Sequence, residues 1–177
     1  MQVNSGDRIK DIRKERIVYL KSVRNFAKEK MPYISGSKVL DAGCGNGAFL
    51  RAIKSVYPKI EAVGIDKEGA RIKEALYKEK KRRLGINYAV CQIEKLQFKA
   101  ASFNAVIMAL VLHEVSSESR AQMIKEASRV LKKGGRLIVV DGINEGREIR
   151  KLMASSGLGN ITTEAFNQYD NAYVGIK

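Results

Sequence analysis

Hydrophobic residues follow two different spacings along this chain. Between residues 7 and 30, apolar side chains recur every three to five positions among mostly charged residues. This spacing places the apolar side chains on one face of an amphipathic helix. From Lys38 onward, short continuous apolar runs alternate with further amphipathic stretches. Because strands joined by helical crossovers run parallel, the pattern predicts a doubly wound α/β sheet with helices on both faces.

The predicted elements follow one another without a long linker or an internal repeat. The predicted helices cover residues 7–30, 48–56, 68–84, 116–132 and 145–155. The predicted strands cover residues 38–42, 60–66, 86–91, 104–108, 136–140, 161–166 and 172–176. Gly134 and Gly135 are expected to stop the fourth helix. We therefore expect one domain at residues 35–177, with an amphipathic helix at residues 1–34 packed on its core.

The composition is that of a globular protein. The chain has 177 residues, of which 45% are hydrophobic and 29% are charged. Its longest apolar run, residues 105–112, is far shorter than the roughly 18 residues that span a membrane. The first thirty residues contain no apolar signal-peptide core, and two cysteines are too few for a disulfide scaffold. We expect a cytoplasmic protein with no membrane association.

The charge is strongly positive and unevenly distributed. Thirty-three Lys and Arg against nineteen Asp and Glu leave a net charge of +14. Residues 1–100 hold 23 basic and 11 acidic side chains, a net +12, whereas residues 101–177 hold 10 and 8, a net +2. Such a field attracts anionic partners such as RNA. Lysine-rich helix faces that only keep the protein soluble, including at high temperature, are the alternative.

A glycine-rich loop follows the first predicted strand. The segment Asp41-Ala42-Gly43-Cys44-Gly45-Asn46-Gly47-Ala48 places three glycines at alternate positions between a strand and a helix. A backbone without Cβ atoms can approach a ligand closely, and open α/β sheets bind ligands at this edge. Asp66 ends the next predicted strand, nineteen residues after Gly47, where a carboxylate can accept both hydroxyl hydrogens of a ribose. The loop and the acid together predict an adenosine-containing cofactor.

Two other nucleotide sites fit this segment poorly. The dinucleotide fingerprint G-x-G-x-x-G/A can be placed on Gly43, Gly45 and Ala48, but the third glycine lies at Gly47. Asp41 would also repel a pyrophosphate, whereas it can face a ligand that carries an ammonium or sulfonium group. The phosphate-binding sequence G-x-x-x-x-G-K-[ST] does not occur.

The order of motifs resembles that of the class I S-adenosylmethionine-dependent methyltransferases, particularly the branch that acts on small molecules. The resemblance spans residues 35–142 and rests on segments 39–47, 63–66, 94–98, 102–107, 111–115 and 129–137. It implies a Rossmann-like sheet of seven strands, mostly parallel, whose last strand is antiparallel. It also implies S-adenosylmethionine as the cofactor and S-adenosylhomocysteine as the product.

The same resemblance implies which residues bind the cofactor. The glycine loop would approach its methionine part, Asp66 its ribose, and Lys67, Gln92 and Ile93 its adenine. The complete set is Asp41, Ala42, Gly43, Cys44, Gly45, Gly47, Asp66, Lys67, Gln92, Ile93 and Met108. Gln92 departs from the acidic residue that is usual in the family, but its carbonyl oxygen can still accept the adenine amino hydrogens. No metal site is predicted.

The methyl acceptor is less well defined. Residues 109–112 read Ala-Leu-Val-Leu, which offers neither a hydrogen-bond acceptor for an amine nor an aromatic platform for a base. His113, the only histidine, is the first candidate for a general base and Glu114 the second; a structural histidine and a solvated carboxylate are the alternatives. We expect a small-molecule acceptor and a monomer or homodimer. An RNA-directed methyltransferase and a non-catalytic cofactor-binding protein remain as alternative functions.

Overall fold

The computed structural model describes residues 5–31, 34–142, 144 and 146–177. Within these residues, the α-helices are α1 (Ser5–Lys30), α2 (Ala48–Val56), α3 (Gly69–Arg82), α4 (Ser117–Val130) and α5 (Gly146–Ser155). The seven strands are β1 (Lys38–Ala42), β2 (Glu61–Asp66), β3 (Ile86–Val90), β4 (Phe103–Ala109), β5 (Leu131–Gly142), β6 (Gly159–Ala165) and β7 (Asp170–Ile176). No helix among these residues is long and apolar enough to cross a membrane.

All seven strands form one sheet in the order β3-β2-β1-β4-β5-β7-β6. Strands β1 to β5 pair in parallel, and β7 runs antiparallel to both β5 and β6. The predicted doubly wound sheet with an antiparallel last strand is confirmed. The strand order reverses between β1 and β4, so a crevice opens between the loops that leave their carboxyl ends.

Two hydrophobic cores cover the two faces of the sheet. On one face, Val23 and Phe26 of α1 pack with Leu50 and Ile53 of α2 and with Ile107 of β4. On the opposite face, buried residues of α4 and α5 pack against the same sheet. Of the apolar face that the sequence pattern predicts for α1, Val23 and Ala27 lie in the protein interior, whereas Ile17 is 68% exposed. The side chains of Ile9 and Ile12 lie outside the described residues. The glycine loop begins where β1 leaves the interior.

The boundary between α4 and β5 differs from the prediction. Helix α4 ends at Val130, and β5 already begins at Leu131, so Gly134 and Gly135 lie inside the strand and do not stop the helix. The reason is tertiary: Leu131 pairs with Phe103 of β4, and the register then shifts before Ala105 pairs with Arg136. The other boundaries agree with the prediction to within two residues.

Candidate active site

The glycine loop is anchored to the neighbouring strand β2. The backbone N–H groups of Gly43 and Cys44 both donate to the carbonyl oxygen of Ile65 over 2.8 Å. Gly43, Gly45 and Gly47 all have positive φ angles, of 86°, 53° and 75°. Because side chains rarely adopt these angles, the alternating glycines allow the loop to turn sharply before α2 begins.

At two of the three glycines, neighbouring side chains also leave no space for a Cβ atom. A Cβ atom at Gly43 would collide with the side chain of Val111, and one at Gly47 would collide with the hydroxyl group of Tyr88. At Gly45 a Cβ atom would meet nothing within 4 Å. The loop is therefore packed against the segment after β4 on one side and against β3 on the other.

Asp66 holds the loop in place. Its Oδ2 accepts a hydrogen bond from the backbone N–H of Gly45 over 2.8 Å, and its Oδ1 accepts one from the backbone N–H of Glu68 over 2.9 Å. Each carboxylate oxygen has a second lone pair. The sequence predicts Asp66 as a ligand of a ribose, and the structure adds that this carboxylate also fixes the position of the glycine loop.

Asp41 is an isolated acid in the protein interior. Its side chain is 1% exposed, and neither carboxyl oxygen has a hydrogen-bond partner among the described residues. Burial, and then the charge of Asp66, raises the pKa of this carboxyl from 3.8 to about 7, while the nearby backbone N–H of Leu50 acts to lower it. An unpaired buried carboxyl destabilises the folded protein. A polar or cationic ligand that binds Asp41 would offset this cost.

A crevice of about 490 Å³, including its open mouth, lies between the loops after β1, β2, β3 and β4. Its walls are formed by Gly43, Asp66, Lys67, Glu68, Ile93, Glu94, Val111, Glu114, Val115 and Met123. Five of these residues were predicted from the sequence: Gly43, Asp66, Lys67, Ile93 and Glu114. The walls at Val111, Val115 and Met123 are apolar.

The other predicted cofactor residues do not line this crevice. Ala42 and Met108 are fully buried in the core beneath it, and Gln92 is exposed beside it. Cys44 is buried, and burial, followed by the charges of Asp41 and Asp66, raises the pKa of its thiol. That thiol stays protonated at neutral pH, so Cys44 fills space in the loop and is a poor nucleophile.

His113 lies on the turn after β4, and its partner is a residue that the sequence reasoning missed. Its Nδ1 lies 2.8 Å from Oδ1 of Asp141, which is fully buried at the carboxyl end of β5. Its Nε2 lies 4.0 Å from Oε1 of Glu114, which lines the crevice. The sequence could have indicated Asp141 as a site residue, because its carboxylate follows a predicted central strand at the edge of the sheet that binds ligands.

Tyr19 of α1 lies close to the same edge of the sheet. Its ring packs against the rings of Phe49 and Phe166, with centroid distances of 6.4 and 5.7 Å. Burial raises the pKa of its hydroxyl group, and the nearby charges of Asp41, Asp170 and Asp141 raise it further. Helix α1 therefore contributes to the surroundings of Asp41 and Asp141.

Sequence comparison relates residues 40–139 to the family described as "Methyltransferase domain". Over 118 residues, or 66% of the chain, it is 35% identical to "Probable tRNA methyltransferase 9B" of Mus musculus. Over 118 residues, or 67% of the chain, it is 31% identical to the ubiquinone/menaquinone biosynthesis C-methyltransferase UbiE of Desulfotalea psychrophila. The matched regions span 24% and 46% of the lengths of those two proteins.

The fold is also found in solved structures. A SAM-dependent methyltransferase from Aquifex aeolicus superposes with a TM-score of 0.80 and 19% sequence identity, covering 98% of this chain and 99% of that one. At this identity the likeness concerns the fold alone.

Proposed function

The chain belongs to the class I S-adenosylmethionine-dependent methyltransferase family, and from that premise we propose that it transfers the methyl group of S-adenosylmethionine to a small-molecule acceptor. The main support is the glycine loop bonded to Asp66 beside a buried, unpartnered Asp41. This combination suits a ligand that carries both a ribose and a cationic centre.

The residues of the site fit this cofactor. Asp41 is a buried carboxyl that accepts no hydrogen bond within the described part of the chain, and an ammonium or sulfonium group is the kind of ligand that satisfies it. Asp66 keeps lone pairs that ribose hydroxyl groups can use. Gly43 leaves no room for a side chain beside Val111. Lys67, Gln92 and Ile93 would flank the adenine, and Ala42, Cys44, Gly45, Gly47 and Met108 would support the loop and its strands.

Methyl transfer requires mainly that the protein position the cofactor and the acceptor next to each other. The bound cofactor supplies an activated methyl group, whose positive charge is lost on transfer. The apolar side chains of Val111, Val115 and Met123 would exclude water from the acceptor. His113 and then Glu114 are the candidate bases for an acceptor that must lose a proton. The apolar segment of residues 109–112 favours a small molecule over a nucleic-acid base.

A radiolabelled-methyl transfer assay tests this proposal. Purified protein is incubated with labelled S-adenosylmethionine and with cell extract separated into metabolites, protein and RNA. We expect label in the metabolite fraction. Asp66→Ala should weaken cofactor binding by roughly tenfold or more, because it removes a charged acceptor of two hydrogen bonds, and calorimetry should show this loss directly. Cofactor binding without transfer to any fraction would instead support the non-catalytic alternative.

RNA is the second candidate acceptor. A groove between α1, α2 and α3 is lined by Arg24, Arg51, Lys78 and Arg82, and none of the described residues that line it is acidic. Arg24 and Arg82 are exposed and form no ion pair among the described residues. Such a groove suits a phosphate backbone, and one relative is named a tRNA methyltransferase. Label in the RNA fraction would favour this candidate.

A further inference from the structure

The only histidine of the chain is oriented by a buried carboxylate on a different strand. Nδ1 of His113 lies 2.8 Å from Oδ1 of Asp141, a side chain that is 0% exposed. We infer that Asp141 is a positioning residue that holds the proton of His113 on Nδ1, leaves Nε2 free to accept a proton, and thereby suits the site to a hydroxyl acceptor. This inference rests on the proposed methyl transfer.

The hydrogen bonds around Asp141 determine the direction of proton donation. The backbone N–H of Leu112 donates to Oδ2 over 2.9 Å, and that of Gly142 donates to Oδ1 over 3.0 Å. Both carboxyl oxygens of Asp141 thus act as acceptors towards the backbone, and a carboxylate has no proton to donate. In the proposed arrangement Nδ1 of His113 donates to Asp141, and Nε2 carries the lone pair that can accept a proton.

The sheet topology brings the two residues together and leaves Nε2 accessible. Ala109 at the end of β4 pairs with Val140 of β5, so the chain segments that follow both strands emerge side by side. The imidazole is 43% exposed. On the Nε2 side its neighbour is Glu114, which lines the crevice. The ring therefore has one nitrogen fixed in the interior and the other exposed beside Glu114, although His113 itself does not line the crevice.

A base of this kind points to an acceptor that loses a proton during transfer. A carboxylate acceptor is already ionised at neutral pH and needs no base, whereas a hydroxyl group does. The acceptor oxygen forms the new C–O bond with one of its lone pairs, while the broken C–S bond leaves its electron pair on sulfur. The O–H proton passes to Nε2 of His113, Asp141 balances the charge of the imidazolium, and water later removes the proton.

Nuclear magnetic resonance of the full chain tests the positioning role without any methyl transfer. A single histidine gives one pair of imidazole ¹⁵N signals, which identify the tautomer. We expect the Nδ1–H tautomer in the unmodified protein. In Asp141→Asn the amide group can donate to Nδ1, so the population should move towards Nε2–H. A dominant Nε2–H form in the unmodified protein, or no change in the folded variant, would overturn the inference.

Glu79→Ala is the control for Asp141→Asn, because a glutamine at position 79 would keep Oε1, the single oxygen that accepts both of its backbone hydrogen bonds. Glu79 also accepts hydrogen bonds from two backbone N–H groups, those of Gly85 and Ile86, but it lies near the end of α3. Glu79→Ala removes both of these hydrogen bonds, so it should lose stability and leave the His113 tautomer unchanged. A tautomer change in Glu79→Ala as large as in Asp141→Asn would mean that the effect is general destabilisation and would contradict the positioning role.

Kinetics with a panel of hydroxyl and carboxylate acceptors tests the substrate class. His113→Gln keeps a donor for Asp141 but has no basic nitrogen, so we expect kcat for a hydroxyl acceptor to fall roughly 100-fold, with KM for S-adenosylmethionine little changed. Transfer to carboxylates alone, or an unchanged kcat in His113→Gln, would overturn this inference and leave the proposed function intact. Absence of transfer to every acceptor would overturn both, even with the expected tautomer.

Discussion

At the scale of single residues, Asp41 combines an energetic cost with a proposed role in cofactor binding. A carboxyl buried without partners favours its neutral form, which is why its pKa rises from 3.8 to about 7. The folded protein therefore binds this proton more tightly than the unfolded chain does. The contribution of Asp41 to stability falls as the pH rises from about 4 to about 7, by on the order of 4 kcal/mol for three pKa units.

Asp41→Asn tests this cost. The asparagine cannot ionise, so we expect the variant to gain stability relative to the unmodified protein between pH 5 and pH 8, as measured by urea denaturation. The same substitution should weaken S-adenosylmethionine binding, because the cationic groups of the cofactor lose a counter-charge. Glu61→Gln, at an exposed site beside Lys38, is the control and should change stability by less than about 1 kcal/mol at either pH. A pH-independent stability difference for Asp41→Asn would contradict the assignment.

At the scale of elements, the loop after β1 and the turn after β4 are packed together. Gly43 faces Val111, and a Cβ atom at this glycine would overlap the valine side chain. Both residues also line the crevice. A substitution in one loop should therefore change the energetic effect of a substitution in the other, because these side chains are packed too closely to move independently.

Gly43→Ala tests this coupling in a double-mutant cycle with Val111→Ala. The alanine introduces backbone strain at a φ of 86° and an overlap with Val111, so we expect a loss of about 2–4 kcal/mol in denaturation experiments. Val111→Ala should restore roughly 1 kcal/mol or more of that loss by removing the overlap. Gly45→Ala, with φ of 53° and open space around it, carries strain only and should show no coupling to Val111. Additive losses for Gly43→Ala and Val111→Ala would argue against the contact.

At the scale of the whole molecule, the net charge of +14 is concentrated on particular surfaces. The groove between α1, α2 and α3 gathers Arg24, Arg51, Lys78 and Arg82 on one face of the sheet. Arg51 is largely buried and donates to the carbonyl oxygen of Asn46, and Lys78 pairs with Glu74. Arg24 and Arg82 are therefore the cations of this groove that are most available to an anionic partner.

Reversal of these two charges tests the RNA alternative. If RNA binds here, Arg24→Glu combined with Arg82→Glu should lower affinity for folded RNA roughly tenfold or more at low salt and should flatten the salt dependence. The control reverses Lys125 and Lys151, which are exposed on α4 and α5 across the sheet, and should have a smaller effect. Absence of salt-sensitive binding to RNA would leave the small-molecule acceptor as the supported reading.

Much of this protein is determined by the sequence alone. The alternation of apolar runs and amphipathic stretches predicts the elements of the sheet, because burial of one helix face or of a whole strand depends on spacing along the chain. The glycine loop and Asp66 are also recognisable from the local sequence. Positive φ angles favour glycine, and the carboxylate is an aspartate that directly ends a predicted strand.

Other features depend on contacts between distant parts of the chain, and only the tertiary structure decides them. The start of β5 at Leu131 depends on pairing with Phe103, against the local signal of two glycines. Asp141 lies 28 residues from His113 and becomes its partner only because β4 and β5 are neighbours. The basic groove likewise needs three helices packed side by side. Sequence periodicity records which side of an element is buried, whereas strand order and helix packing determine which residues meet there.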